Sequence, residues 1–191
     1  MRTAKTERTT KETSISVALD LDGGECSVKT GIGFFDHMLT AFAVHGGFGL
    51  TLSADGDLEV DGHHTVEDTG IVLGTAFAKA LGDRSGIARY GSFYVPMDEA
   101  LALCVVDISG RPFLKYDDPF GGAVIGALDA CLIGEFLRAF AVNAGLTLHV
   151  NVLYGKNAHH MAEAIFKALG HAMKAACAAT GGAALSTKGV L

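Results

Sequence analysis

Two short segments hold the side chains best suited to chemistry: His63-His64-Thr65-Val66-Glu67 and His159-His160-Met161-Ala162-Glu163. Each pairs adjacent histidines with a glutamate four residues after the first. On a helix, positions i and i+4 share a face, so His63 can meet Glu67 over one point and His159 can meet Glu163 over another. The neighbouring histidines, His64 and His160, project about 100° further round the axis and are placed to serve a second ion. A single turn of this kind is ordinarily a surface pair. The whole unit recurs 96 residues later, inside segments that are alike more widely, and this argues for paired divalent-metal positions. Mixed imidazole and carboxylate donors suit manganese, iron, zinc or nickel and tell against calcium and magnesium.

The elements that must position these turns read as a duplication. Leu39 to Val44 matches Leu137 to Val142, and Leu50-Thr51-Leu52 matches Leu146-Thr147-Leu148. The chain is therefore read as one domain of two repeats, about 8–88 and 89–180, with a tail at 181–191. In the first repeat, Ile15, Val17 and Leu19 alternate along a strand over Thr13 to Asp20, and Glu25 to Thr30 returns after a turn. A helix near Phe34 to Val44 carries a stripe of Phe34, Met38 and Phe42 and ends at Gly46-Gly47. A strand at Leu50 and Leu52 and an extended piece at 58–61 lead to the first His-His helix. Its stripe is Leu73, Phe77 and Leu81, and it closes at Gly82. In the second repeat Leu101, Leu103 and Val105 alternate, Pro112 to Tyr116 returns, and a glycine-rich loop covers Asp117 to Gly126. Leu128, Leu132, Phe136 and Phe140 then form a helix stripe.

Each half thus runs strands–helix–strand–helix, which predicts a two-layer α/β (α+β) sandwich with helices covering one face of a sheet. Helices so rich in alanine and small faces invite packing against other copies, so a homo-oligomer is expected.

Composition narrows the function classes. The 191 residues are 49% hydrophobic, with no tryptophan and three prolines, enough for a substantial core. A net charge of −6 argues against a nucleic-acid surface and fits a small anionic metabolite better. Cys26, Cys104, Cys131 and Cys177 are widely spaced, without a C-x-x-C pair, and read as reduced thiols. No run is long and apolar enough to span a membrane, and the N-terminus lacks a signal-peptide core, so a cytoplasmic protein is expected.

Other side chains add to the site. His37 aligns with Glu135 in the repeat, both beside the apolar stripe of the first helix of their half. Each is placed to supply one more ligand. Lys167 continues the ridge His159, Glu163, Lys167. Arg89, Arg111, Ser186 and Lys188 are donors suited to phosphate oxygens. Gly155-Lys156-Asn157 is not a Walker A loop, and no dinucleotide fingerprint or nucleophile signature is present. A di-metal phosphatase or a metal-stapled assembly protein would use the same ligands, and a product assay separates these readings.

The longer motifs carry a specific likeness. Arg8 to Thr13, Gly33-Phe34-Phe35-Asp36-His37-Met38-Leu39, His63 to Asp68, Ser109-Gly110-Arg111-Pro112, Gly155 to His160 and Ser186-Thr187-Lys188-Gly189 together resemble the imidazoleglycerol-phosphate dehydratases of histidine biosynthesis. The resemblance spans nearly the whole chain. It implies a duplicated α/β sandwich with left-handed crossovers, ribosomal protein S5 domain 2-like, assembled as a cytoplasmic shell of twenty-four subunits with active sites at subunit interfaces. It implies two manganese ions (Mn2+) per active site. One would take His37, His64, His159 and Glu163, with the second motif donated by a neighbouring subunit. The other would take His63, Glu67, Glu135 and His160. Most members carry histidine where this chain has Glu135.

The resemblance further implies substrate contacts at Glu12, His45, Arg89, Arg111, Lys167, Ser186 and Lys188, four of which (Arg89, Arg111, Ser186, Lys188) would hold phosphate. The reaction implied is dehydration of D-erythro-imidazole glycerol phosphate to imidazole acetol phosphate through a metal-stabilised imidazolate. Glu12 is assigned the proton-shuttling role, because Glu67 and Glu163 are engaged as ligands.

Overall fold

The computed structural model describes residues 2–189. The first half contains β1 (Thr3–Thr9), β2 (Thr13–Asp20), β3 (Cys26–Lys29), α1 (Gly33–Gly46), β4 (Gly49–Gly56) and α2 (His63–Leu81). The second contains β5 (Tyr90–Met97), β6 (Ala100–Asp107), β7 (Phe113–Tyr116), a small hairpin of β8 (Val124–Ile125) and β9 (Leu128–Asp129), α3 (Leu132–Ala144), β10 (Thr147–Tyr154) and α4 (Ala158–Cys177). The four-stranded sheets have matching orders, β1-β2-β4-β3 and β5-β6-β10-β7. In each, two antiparallel pairings are followed by one parallel pairing, β3 with β4 and β7 with β10. A parallel pair needs a crossover, and α1 and α3 supply it.

Helices cover one face of each sheet, as the strand and helix periodicities require. The helices of the two halves then pack on each other, α2 on α3 and α1 on α4. Glycines permit these crossings. A Cβ on Gly74 would stand 2.7 Å from the Phe140 carbonyl oxygen, and one on Gly170 would stand 2.5 Å from that of Phe42. Gly74 and Gly170 are repeat equivalents, so the same close approach is built twice. The small helix faces are thus used inside the chain, where the sequence suggested contacts between copies.

Phenylalanines fill the space between the crossings. Phe42 meets Phe140 edge-on at 6.0 Å, Phe77 meets Phe140 at 5.4 Å, and Phe35 meets Phe136 at 5.4 Å, each ring fully buried or nearly so. Each such ring contributes about 1.5–3 kcal/mol by burial, so the two halves share one core.

Several local expectations are corrected. Strands β1 and β5 are edge strands that were not read from the sequence, because β1 has only Ala4 among polar residues and β5 contains Pro96, tolerated only at an edge. On β6 the buried residues are Ala100, Ala102, Cys104 and Val106, while Leu101, Leu103 and Val105 face outward. The close approach of α4 leaves room only for the smaller set. In α1 the buried stripe is Phe35, Met38, Leu39 and Phe42, and Phe34 is only half-buried at the site. Residues 58–60 form a turn, so 58–61 is not an extended piece, and the loop after β7 contains the β8–β9 hairpin, with Leu128 in β9 ahead of α3. Of the expected tail, 190 and 191 lie outside the described residues.

Candidate metal centre and active site

The first turns of α2 and α4 begin with the histidine pairs. Asp61 accepts a hydrogen bond from the His63 amide at 2.7 Å, and Asn157 accepts one from the His159 amide at 2.9 Å. These caps satisfy amides that a helix start leaves free, and they fix where each pair enters its helix. The i,i+4 geometry then appears in both motifs. His63 Nε2 lies 3.8 Å from Glu67 Oε2, and His159 Nε2 lies 3.3 Å from Glu163 Oε2.

The two motifs do not meet each other within the chain; each meets the first helix of the opposite half. His37 of α1 joins His159 and Glu163 of α4, and Glu135 of α3 joins His63 and Glu67 of α2. In each trio one donor atom per residue falls within 4.8 Å of the others. The helix crossings just described, α1 on α4 and α2 on α3, produce this exchange. The donor sets suit a divalent transition ion, which binds at about 2.0–2.2 Å and would draw such atoms together with little movement. Glu135 also pairs with Arg138 on its own helix, an alternative partner for its carboxylate.

Glu163 is the most enclosed of these ligand candidates. Burial pushes its carboxyl up, but the Lys167 ammonium at 2.7 Å, with His37 and His159 nearby, holds it below the ordinary value. It is therefore kept ionised beside the imidazoles. Phe34 covers the same trio, its ring 4.9 Å from that of His159.

His64 and His160 point away from both trios, as their position on the helix requires. His64 Nδ1 is 3.0 Å from Asp57, and His160 Nδ1 is 2.7 Å from Glu99. These carboxylates raise the proton affinity of both rings. Glu99 is in turn held down to about 2 by His160 and by the amides of Asn157 and Lys156. Glu12 stands in the β1–β2 turn, more than half exposed, with Oε1 3.9 Å from His64 Nε2. That turn is anchored to α2, since Thr13 donates to the buried Asp68 carboxylate at 2.5 Å and Arg8 lies 3.2 Å from it.

Arg89, Arg111, Ser186 and Lys188 converge on one cleft of about 820 Å³, with Tyr90 and Leu185. Arg89 is nearly buried and forks onto Asp107, at 2.6 and 3.1 Å, and onto the Leu185 carbonyl oxygen at 2.6 Å. It therefore braces the tail, while Arg111, Ser186 and Lys188 keep donors free. His45 lies elsewhere, at the end of α1, hydrogen-bonded to His171 at 3.2 Å.

Residues 30–173 match the family model described as imidazoleglycerol-phosphate dehydratase. Over its full length the chain is 56% identical to the whole imidazoleglycerol-phosphate dehydratase of Carboxydothermus hydrogenoformans. The chain belongs to the imidazoleglycerol-phosphate dehydratase family. A Caldanaerobacter subterraneus dehydratase is 59% identical over 91% of this chain and 90% of its own. The solved Pyrococcus furiosus structure superimposes with a TM-score of 0.84 at 40% identity, covering 97% of this chain and 99% of that one. The Staphylococcus aureus structure gives 0.83 at 39%, covering 93% and 99%. The protein is accordingly an enzyme of the hydro-lyase class. Among its described residues no helix is long and apolar enough to cross a membrane.

Asp57, Asp68, Glu99 and Asp107 contact candidate site residues or the turn that carries one, and were not singled out in the sequence. Asp57, Glu99 and Asp107 act through a neighbour from a turn or a strand end, and Asp68 does so from within α2, so no local spacing announced the set. Asp68, directly after the His-His-x-x-Glu motif, offered the clearest signal.

Proposed function

We propose that the protein removes water from D-erythro-imidazole glycerol phosphate to give imidazole acetol phosphate on the route to histidine, at a site holding two manganese ions. The observation that carries this reading is the exchange of first helices, which assembles one trio of ligating atoms around each His-His motif in a member of this family. His37, His159 and Glu163 would hold one ion and His63, Glu67 and Glu135 the other. His64 and His160 face away from both trios, so they would complete the sites of neighbouring subunits in a homo-oligomer. Bound there, the ions would supply Lewis acidity that lowers the N–H pKa of an imidazole ring and favours its anionic form.

The chain's own residues would do the remainder. Arg111, Ser186 and Lys188, with Arg89 beneath them, would grip the phosphate and fix the distance from it to the heterocycle. Lys167 would balance Glu163 and donate toward a substrate hydroxyl, and His45 would line the far side. Glu12, exposed and left without a strong partner, would take the proton from the second side-chain carbon as the hydroxyl leaves the carbon beside the ring, giving an enol that tautomerises to the ketone. A soluble, cytoplasmic enzyme fits this role.

Metal analysis coupled to a product assay tests the reading. The purified protein should carry about two manganese per chain, lose activity on chelation, regain it best with manganese, and form a phosphorylated ketone. Release of inorganic phosphate, or full activity after complete metal removal, would sink it.

A further inference from the structure

The geometry points to Asp57 and Glu99 as positioning residues that hold His64 and His160 in the tautomer with the proton on Nδ1, so that each Nε2 presents a lone pair outward. The inference rests on the two-ion reading above. It concerns the two ring nitrogens of the histidines that neither trio uses.

A carboxylate beside one ring nitrogen accepts its proton, and in a neutral imidazole this leaves the other nitrogen as the ligating atom. Both oxygens of Asp57 lie near His64 Nδ1, at 3.0 and 3.2 Å, and Glu99 Oε2 lies 2.7 Å from His160 Nδ1. The Nε2 atoms are outside hydrogen-bond range of any carboxylate, with Glu12 at 3.9 Å from one and Asp98 at 3.6 Å from the other. Glu99 is itself fixed. Its Oε1 accepts from the amides of Lys156 at 3.1 Å and Asn157 at 2.7 Å, at the entrance to α4. Asp57 donates its amide to the Glu12 carbonyl oxygen at 3.1 Å.

The two carboxylates are not repeat equivalents. Asp57 follows β4, whereas Glu99 precedes β6 in the β5–β6 hairpin. The residue of the first half that precedes the corresponding strand is Glu12. Ancestrally equivalent glutamates therefore do different work. In the second half that glutamate holds the histidine ring. In the first half Asp57 takes over the ring contact, which leaves the Glu12 carboxylate free. Two unrelated loops arriving at the same nitrogen indicate a requirement of the site, since duplication alone would have copied one solution.

Two measurements on the full chain test this. The first reads nitrogen chemical shifts of the histidine rings in metal-free protein, at a pH where the rings are neutral. Wild type should show His64 and His160 protonated at Nδ1. In Glu99→Gln the amide oxygen can keep the Lys156 and Asn157 contacts while its NH2 group faces the ring, so His160 should switch to the Nε2-protonated form. Asp57→Ala should leave His64 a tautomer mixture. The second is Mn2+ titration, where each variant should bind about 10–100-fold more weakly than wild type, the usual effect of losing such a partner. Unchanged tautomers together with Mn2+ affinity within twofold of wild type would overturn the inference. Should wild type bind no Mn2+, the two-ion reading fails, and the tautomers alone still decide whether these carboxylates set the rings. If one variant does not fold, the other carries the same test on its own histidine.

Discussion

His37, on the first helix of the first half, holds its Nε2 3.8 Å from Glu163 Oε2, on the last helix of the second. The contact exists because α1 crosses α4 at a glycine, and it brings a candidate ligand from each half to one point. His37→Ala should therefore weaken one class of Mn2+ site by more than tenfold in a calorimetric titration, although the His159–Glu163 turn is left intact. Two equally tight sites in that variant would show that His37 does not ligate.

Glu135 takes the matching place at the other trio. Its carboxylate is shared with Arg138, so an ion there must compete with a surface ion pair worth at most about 1 kcal/mol. Glu135→Ala should lower the manganese content from about two per chain toward one, and Arg138→Ala should tighten that site modestly. Metal analysis after dialysis checks both, and an undiminished content in Glu135→Ala would remove Glu135 from the ligand set.

Glu12 is the base proposed above. Glu12→Gln keeps the size and the turn, in which the Thr10 hydroxyl accepts from the amides of residue 12 and Thr13. Manganese content and melting temperature should stay at wild-type values while kcat falls by a factor of 10² or more, the ordinary worth of a general base. Near-normal turnover would assign the proton transfer to another group.

The sequence showed most of the fold, and most of the side chains gathered in each trio, for a physical reason. Helix periodicity and the i,i+4 rule act within a dozen residues, so the His63–Glu67 and His159–Glu163 turns and the stripes of α2 and α3 were legible. The pairing of His37 with Glu135 was legible because duplication put them at equivalent positions. What escaped depended on tertiary choice. Which face of β6 turns inward is decided by how close α4 comes, so Leu101, Leu103 and Val105 were read on the wrong side. Edge strands β1 and β5 lack the two-sided pattern, and Asp57 and Glu99 reach their histidines from turns that no periodicity describes.

The crossing of α1 and α4 sets the position of His37, so it should be sensitive to volume. A side chain at Gly170 would start 2.5 Å from the Phe42 carbonyl oxygen and 3.0 Å from the Gly46 nitrogen, both backbone atoms that cannot swing aside. Gly170→Leu should lower stability by about 1–3 kcal/mol or more, read as a lower urea midpoint in metal-free protein. It should also weaken Mn2+ binding, because α1 is pushed away from α4. A wild-type midpoint would mean that the helices do not approach as closely as described.

The His45–His171 pair makes stability depend on pH on the acid side. Burial lowers the proton affinity of both rings, the neighbouring His171 lowers that of His45 further, and Phe93 stacks on His171 at 4.2 Å. In the unfolded chain each histidine titrates near 6.5. Below that pH the unfolded state binds protons that the folded state does not, so stability falls as pH drops and levels off only below the depressed folded values. His171→Phe keeps the stack on Phe93 and removes one titrating ring. Urea midpoints measured from neutral pH downward should therefore decline less steeply in this variant than in wild type. Equal slopes would show that the pair titrates alike in both states.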